Sequence, residues 1–282
     1  MTSSAAHSPM PTVPLVEEHD GFLFDLDGVL YAGPAAVPGA PEALKRLKQR
    51  GFPVAFVTNN ASRSLAEIAS HLRELGIPAE EHEVYSSVSA GVTLLAEHVP
   101  APAAVLVTGS EYLKEQVAAA GYTVAASASD QPAAVIQGFE PTLGWPDLAE
   151  ASYAVNQGAL WFATNLDHSV PRDRGIAPGN GALVEAVGRA TGTRPLAAGK
   201  PQPVMFAQAA QALDLRSPLV IGDRIDTDII GGNRAGFTTA LVLTGIGTAQ
   251  QAAAATGEER PEWVLRTLDD LFSGDHRSPA DV

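Results

Sequence analysis

The chain of 282 residues contains no cysteine. Disulfides and thiolate metal sites are therefore excluded, while the compartment stays open. Positive charge is scarce: 18 lysines and arginines face 32 acids, for a net charge of −14. That balance argues against binding nucleic acid or anionic lipid, and an anionic substrate would need a local positive centre. Lysine is rarest of the charged types, found only at Lys45, Lys48, Lys114 and Lys200. No apolar run approaches the roughly 18–20 residues of a membrane span. The first stretch, "MTSSAAHSPMPTVPLVEE", lacks a basic start and is broken by Pro9, Pro11 and Pro14. It is expected to be a flexible lead-in and not a signal peptide, with the cytoplasm as the expected compartment. A phosphate-binding P-loop, a zinc pattern among the histidines and a serine nucleophile elbow are also missing.

What is present is the profile of a globular protein, 45% apolar and 18% charged. Short apolar runs alternate with Ala-rich amphipathic stretches, which predicts a parallel sheet with crossover helices. Strands are expected at 22–26, 54–58, 219–221 and 239–243, and helices at 41–50, 65–75, 204–213 and 261–272. The middle repeats this grammar, with strands at 105–107, 134–137 and 160–164 and helices at 112–120 and 146–157. The expected organisation is a lead-in at 1–18, a core at 19–89 and 183–274, an inserted α/β unit at 90–182 and a tail at 275–282.

Four places carry chemistry. In "GFLFDLDGVLYAG", Asp25 and Asp27 sit two residues apart at the end of an apolar run. As a continued strand they would share one face and repel. Asp27-Gly28 reads either as a tight hairpin turn or as a strand-end cation site. In "AFVTNNAS", Thr58, Asn59 and Asn60 follow another apolar run. They suit an anion cradle or an ordinary helix N-cap cluster. Lys200, in "AAGKPQP", stands alone among small residues. It is either a solvated loop lysine or a compact cation for phosphoryl oxygens and clustered carboxylates. In "VIGDRIDTDIIGG", Asp223 ends an apolar run, and Asp226 and Asp228 are expected to open the next helix. First-turn acids are commonplace, which accounts for Asp226 better than for Asp223.

The order of these signals is more specific than any one of them. "DLDGVL" at 25–30, "TNN" at 58–60, "GKP" at 199–201 and "GDRIDTD" at 222–228 together resemble the haloacid dehalogenase superfamily. Flanks and spacing are similar to its type IIA branch of large-cap phosphatases. The resemblance implies a Rossmann-like parallel-sheet core with a smaller inserted α/β cap. It implies a cytoplasmic, Mg²⁺-dependent phosphatase of small phosphomonoesters that works through an aspartyl phosphate. Asp25 would be the nucleophile and Asp27 the acid and then the base. Asp25, the backbone carbonyl of Asp27, and Asp223 would hold Mg²⁺, with Asp228 behind them. Thr58, Asn59, Asn60 and Lys200 would bind the phosphoryl group.

In the cap, "FATNLDHSVPRDRGIAPGNG" at 162–181 resembles the branch's specificity segment. Asp167, His168 and Val170 are its candidates. Pyridoxal phosphate phosphatases of this branch carry a histidine where Val170 precedes Pro171. Glycerol 3-phosphate or a similar small polyol or acid phosphate is therefore the expected substrate, ahead of a nucleoside monophosphate or pyridoxal phosphate. The partner is expected to be a small phosphorylated metabolite, with neither nucleic acid nor membrane, and two copies would pair through the cap. Phosphoacceptor signalling domains gather similar residues, but they lack an acid two residues past the phosphoacceptor and a cap. A plain binding module would need no Asp27.

Overall fold

A computed structural model describes residues 13–172 and 174–282. The chain opens with β1 (Phe22–Phe24), a small hairpin of β2 (Tyr31–Ala32) and β3 (Ala35–Ala36), α1 (Ala40–Gln49), β4 (Val54–Thr58), α2 (Leu65–Glu74) and β5 (Val84–Ser86). A second unit follows: α3 (Ser87–His98), β6 (Ala104–Thr108), α4 (Glu111–Ala119), β7 (Thr123–Ala125), β8 (Ala134–Gln137), α5 (Trp145–Asn156) and β9 (Leu160–Ala163). It continues through the hairpin β10 (Ser169–Arg172) and β11 (Gly175–Pro178), α6 (Asn180–Thr191) and β12 (Leu196–Ala197). The chain then returns to the first unit with α7 (Val204–Ala212), β13 (Leu219–Gly222), α8 (Ile230–Arg234), β14 (Thr238–Val242), α9 (Ala249–Ala254) and β15 (Trp263–Leu265).

Two parallel sheets result. The first has six strands in the order β15-β14-β13-β1-β4-β5, and the second five in the order β12-β9-β8-β6-β7. Every residue of β1, β4 and β13 is buried, as strands covered by helices on both faces require. One face packs Phe22, Phe24, Phe56 and Ile221 against Leu44, Leu47, Ile68 and Leu72 of the helices. The other packs Leu23, Ala55, Val57 and Val220 against Met205, Phe206 and Ala209 of α7. The expected doubly covered α/β fold with an inserted α/β unit is the fold observed. Among the described residues, no helix is long and apolar enough to cross a membrane.

Three expectations need correction. β1 ends at Phe24, two residues early, so Asp25 and Asp27 do not share a strand face. The chain turns there: Leu30 and Tyr31 donate their N–H groups to the Leu26 carbonyl, and Gly28 adopts φ +83°. The helix expected at 261–272 is instead β15 followed by a 3-10 turn, Leu268–Leu271. Trp263-Val264-Leu265 suits a strand, and pairing it with the free edge of β14 outweighs the weak helical pattern. The boundary expected at 182/183 falls inside α6, whose Val184 and Val187 pack with Val155 and Trp161 of the second unit. That unit runs on to β12.

Described residues next to both ends pack onto the core. Residues 1–12 of the lead-in lie outside the described residues. From there Leu15–Glu17 makes a 3-10 turn with Leu15 and Val16 buried in the core. In the tail, His276 packs edge-on to Trp263, and Arg277 pairs with Val264.

Candidate active site

In the six-stranded sheet β13, β1 and β4 are neighbours. Their C-terminal ends deliver Asp223, Asp25 and Thr58 to one place, where open α/β sheets bind their ligands. Lys200 arrives from the loop ahead of α7 and is buried, with 3% of its surface exposed. Its ammonium donates to Asp25 Oδ1 at 2.5 Å, to Asp228 Oδ1 at 2.6 Å and to the Val57 carbonyl at 3.0 Å. Asp228 is reached through a π-helical turn, Ile225–Ile229, and not through the first turn of an α-helix. Its second oxygen accepts the Arg224 N–H at 3.1 Å.

Asp223 is clamped. Its Oδ2 accepts the Ile246 N–H at 2.7 Å, while Oδ1 is buried without a hydrogen-bond partner among the described residues. A Cβ on Gly28 would lie 2.4 Å from Asp223 Oδ2, and one on Gly245 would lie 2.0 Å away, so only glycines let these loops close around it. Carboxylate oxygens of Asp25, Asp223 and Asp228 lie within 4.8 Å of one another. Fully ionised, three carboxylates and one ammonium carry a net −2 in a buried space. The unpartnered Asp223 oxygen and this surplus fit a hard divalent cation with oxygen ligands.

Burial drives the Asp25 carboxyl well above the usual range, opposed by Lys200 and reinforced by Asp228 and Asp223. Asp223 is pushed up to about 6 by burial and the neighbouring Asp228 charge. For Lys200, burial works against the charged form, but Asp228 and Asp25 prevail and hold the ammonium above its ordinary pKa. Asp27 stands outside the cluster and is exposed. Its Oδ2 accepts the Tyr31 hydroxyl at 3.2 Å, and the protein packed around it still raises its carboxyl above the usual range.

The second motif is divided in its tasks. Thr58 is buried, and its hydroxyl accepts the Asn60 N–H at 3.1 Å. Asn60 Oδ1 accepts the N–H groups of Ser62 and Arg63, capping the turn. The Asn59 side chain, expected on the phosphoryl group, is occupied elsewhere. Its amide nitrogen donates to both carboxylate oxygens of Asp167, each at 3.1 Å, and to the Lys200 carbonyl at 3.1 Å. Its oxygen accepts the Lys200 N–H at 2.9 Å.

Of the cap candidates, Asp167 therefore reaches the core. Val170 is half-buried on β10 opposite Ala177 of β11. His168 is exposed, with Nδ1 3.7 Å from Glu185, and does not join the cluster.

Two contributors went unnoticed in the sequence. Asn165 donates from Nδ2 to the Asn59 carbonyl at 2.9 Å. A signal for it existed, because "FATNLD" repeats at a cap strand end the Thr-Asn pair of "VTNN". Tyr31 carried no comparable signal, since only the hairpin after Gly28 turns it back onto Asp27.

Residues 22–123 match the haloacid dehalogenase-like hydrolase family, and residues 197–271 match a HAD-hydrolase-like family. D-glycerol 3-phosphate phosphatase of Mycobacterium tuberculosis is 44% identical over 257 residues, which cover 91% of this chain and 72% of that protein. Human chronophin is 37% identical over 273 residues, covering 90% and 92%. Among solved structures, a glycerol phosphate phosphatase of M. tuberculosis in complex with magnesium superposes with a TM-score of 0.88 at 43% identity, covering 92% of this chain and 78% of that one. The p-nitrophenyl phosphatase of Archaeoglobus fulgidus gives a TM-score of 0.81 at 30% identity, covering 90% and 98%. With the four motifs gathered at one end of its core sheet and these relatives spanning nearly all of its length, the chain belongs to the haloacid dehalogenase-like hydrolases, in their large-cap phosphatase branch.

Proposed function

We propose that the chain hydrolyses small phosphomonoesters with the help of Mg²⁺, with glycerol 3-phosphate as first substrate. The buried Asp25–Lys200–Asp228 cluster beside the unpartnered Asp223 oxygen carries this reading. The identity to a D-glycerol 3-phosphate phosphatase supports the choice of substrate.

Asp25 attacks phosphorus, forming an Asp25–phosphorus bond as the bond to the leaving oxygen breaks. Asp27 gives its proton to the leaving alkoxide, which departs as the alcohol. A carboxyl raised above its usual range is better able to carry that proton near neutrality. In the second half-reaction Asp27, now a carboxylate, takes a proton from water as the water attacks phosphorus. Asp25 leaves as carboxylate and orthophosphate is released.

Lys200, fixed by Asp25, Asp228 and the Val57 carbonyl, offsets charge on the nucleophile and on the phosphoryl oxygens. Thr58 and the turn it makes with Asn60 would line the phosphoryl side. Asp25, Asp223 and the backbone carbonyl of Asp27 would hold Mg²⁺, with Asp228 behind them. Bound there, the cation would supply positive charge to the phosphoryl group and offset the acidic cluster. In this reading Val170, on the hairpin β10–β11, would face the leaving group as an aliphatic wall suited to a short ester more than to a ring that needs hydrogen bonds. A cytoplasmic setting and pairing of two copies through the cap belong to the same reading.

The test is orthophosphate release, with Mg²⁺, from glycerol 3-phosphate, a nucleoside monophosphate, pyridoxal phosphate and 4-nitrophenyl phosphate, ranked by kcat/KM. Glycerol 3-phosphate is expected first. A nucleotide in first place overturns the substrate. A phosphorylated chain that does not turn over would make this a phosphoacceptor domain.

A further inference from the structure

Besides the packing of α3 on α7, the second unit is tied to the core by hydrogen bonds along one strip, residues 59–62. The Asn59 carbonyl accepts from Ser87 Oγ and Asn165 Nδ2, each at 2.9 Å. The Ala61 carbonyl accepts from Ser110 Oγ at 2.8 Å, and Ser62 Oγ donates to the Phe139 carbonyl at 3.0 Å. Asn165, Ser110 and Phe139 lie just beyond the cap strands β9, β6 and β8, and Ser87 opens α3 just after core strand β5, so the second unit grips the loop that carries the second motif. At the start of the strip the Asn59 carboxamide faces two ways, to Asp167 on the cap side and to the Lys200 backbone on the core side.

We infer that Asp167 is a positioning residue for Lys200, acting through the Asn59 carboxamide, so that docking of the cap fixes the ammonium on Asp25. A carboxamide can turn over, exchanging its donor and acceptor ends. Asp167 accepts from Asn59 Nδ2 through both oxygens, and this selects the orientation in which Asn59 Oδ1 faces the Lys200 N–H. Turned over, the amide oxygen would face a carboxylate and a carbonyl, and the Lys200 N–H would face a donor. One side chain thus holds both the N–H and the carbonyl of Lys200.

The preceding residue is pinned as well. A Cβ on Gly199 would lie 2.6 Å from Asn59 Oδ1 and 2.6 Å from the Thr164 carbonyl, so the chain threads between core loop and cap. From this fixed backbone a flexible four-carbon stem must deliver its ammonium between two carboxylates. A displacement of about 1 Å at such a group costs on the order of 10²-fold in rate.

The activity arm of the test rests on the phosphatase reading, and an exchange arm does not. Asp167→Ala, Asp167→Asn, Asn59→Asp and the swap Asn59→Asp/Asp167→Asn are compared with wild type on 4-nitrophenyl phosphate, which has no hydroxyl for the cap to recognise, and on glycerol 3-phosphate. Asp167→Ala is expected to lower kcat roughly 10–100-fold on both esters with little change in KM. Asp167→Asn keeps an acceptor and regains most of the loss. Asn59→Asp sets carboxylate against carboxylate, and the swap recovers part of its loss by restoring a donor–acceptor pair.

Exchange of the Lys200 amide hydrogen, followed by NMR, is expected to be faster in Asp167→Ala. A loss confined to KM for glycerol 3-phosphate would make Asp167 a substrate ligand and overturn the inference, as would a swap no better than Asn59→Asp. Wild type without turnover would remove the phosphatase reading alone. Lys200 exchange would still decide this one, with unchanged protection in Asp167→Ala overturning it. Should Asp167→Ala fail to fold, Asn59→Asp and the swap make the same comparison.

Discussion

At the scale of single residues, the site turns on one ammonium and the oxygens around it. Lys200→Ala would leave Asp25 and Asp228 facing each other in a buried space, and removing one such charge contact typically costs ~10²–10³ in rate. Lys200→Arg is not expected to rescue it, because a planar guanidinium cannot occupy a 3% exposed position built for three bonds to one nitrogen. The check is kcat/KM on 4-nitrophenyl phosphate, and full rescue by arginine would return Lys200 to a general electrostatic role. Asp25→Asn should abolish turnover with the thermal transition intact, since an amide cannot form the acyl phosphate. Asp27→Asn should slow glycerol 3-phosphate more than 4-nitrophenyl phosphate, whose leaving group needs no proton. Equal losses on the two esters contradict the acid role. The residue types here were legible in "DLDGVL", "GKP" and "GDRIDTD", each with an ordinary alternative, and the family resemblance carried by their order implied the joint site. The partner of Asn59 was not, because Asp167 lies 108 positions away and nothing local marks the pair.

At the scale of elements, helix caps and the cap hairpin each make a claim. α2 begins directly after the second-motif loop and is held by a capping box: Ser64 Oγ accepts the Glu67 N–H, and Glu67 Oε2 accepts the Ser64 N–H. Ser64→Ala should cost about 1 kcal/mol in urea unfolding. No loss would mean that tertiary contacts alone hold the start of α2. On the hairpin, Val170→His should narrow the preference for glycerol 3-phosphate over pyridoxal phosphate by giving the ring a polar partner, while an unchanged ranking would place the leaving group elsewhere. Apolar runs revealed the central strands well, since β4 is both wholly apolar up to Thr58 and wholly buried. β15 was misread as helix because periodicity over a short run cannot distinguish a strand from a buried helical turn.

At the scale of the molecule, a cation held by the acidic cluster would be coupled to stability and pH. Asp223, pushed up to about 6, binds its proton more tightly folded than unfolded. Its contribution to stability is therefore greatest in acid and is lost as pH rises through about 6. A bound cation needs the ionised carboxylate and opposes that loss. Mg²⁺ should accordingly raise Tm clearly at about pH 7.5 and progressively less at about pH 5. Equal shifts at both pH values, or a full shift in Asp223→Asn, would remove the cation from this cluster. Chelation should abolish activity reversibly.

The sequence by itself determined the alternation of apolar runs and helices, and with it the α/β class, because burial on both faces of a strand leaves a local, continuous mark. It also determined which residue types stand at the strand ends, since an acid closing an apolar run is conspicuous. Only the tertiary structure decided how those ends meet. The order β13-β1-β4 makes neighbours of strands far apart in the chain, and the loop of Gly245 and Ile246 closes on Asp223. The cap returns Asp167 to Asn59. Such contacts depend on where whole elements pack, and no short stretch of sequence records the surface that another stretch will bring to it.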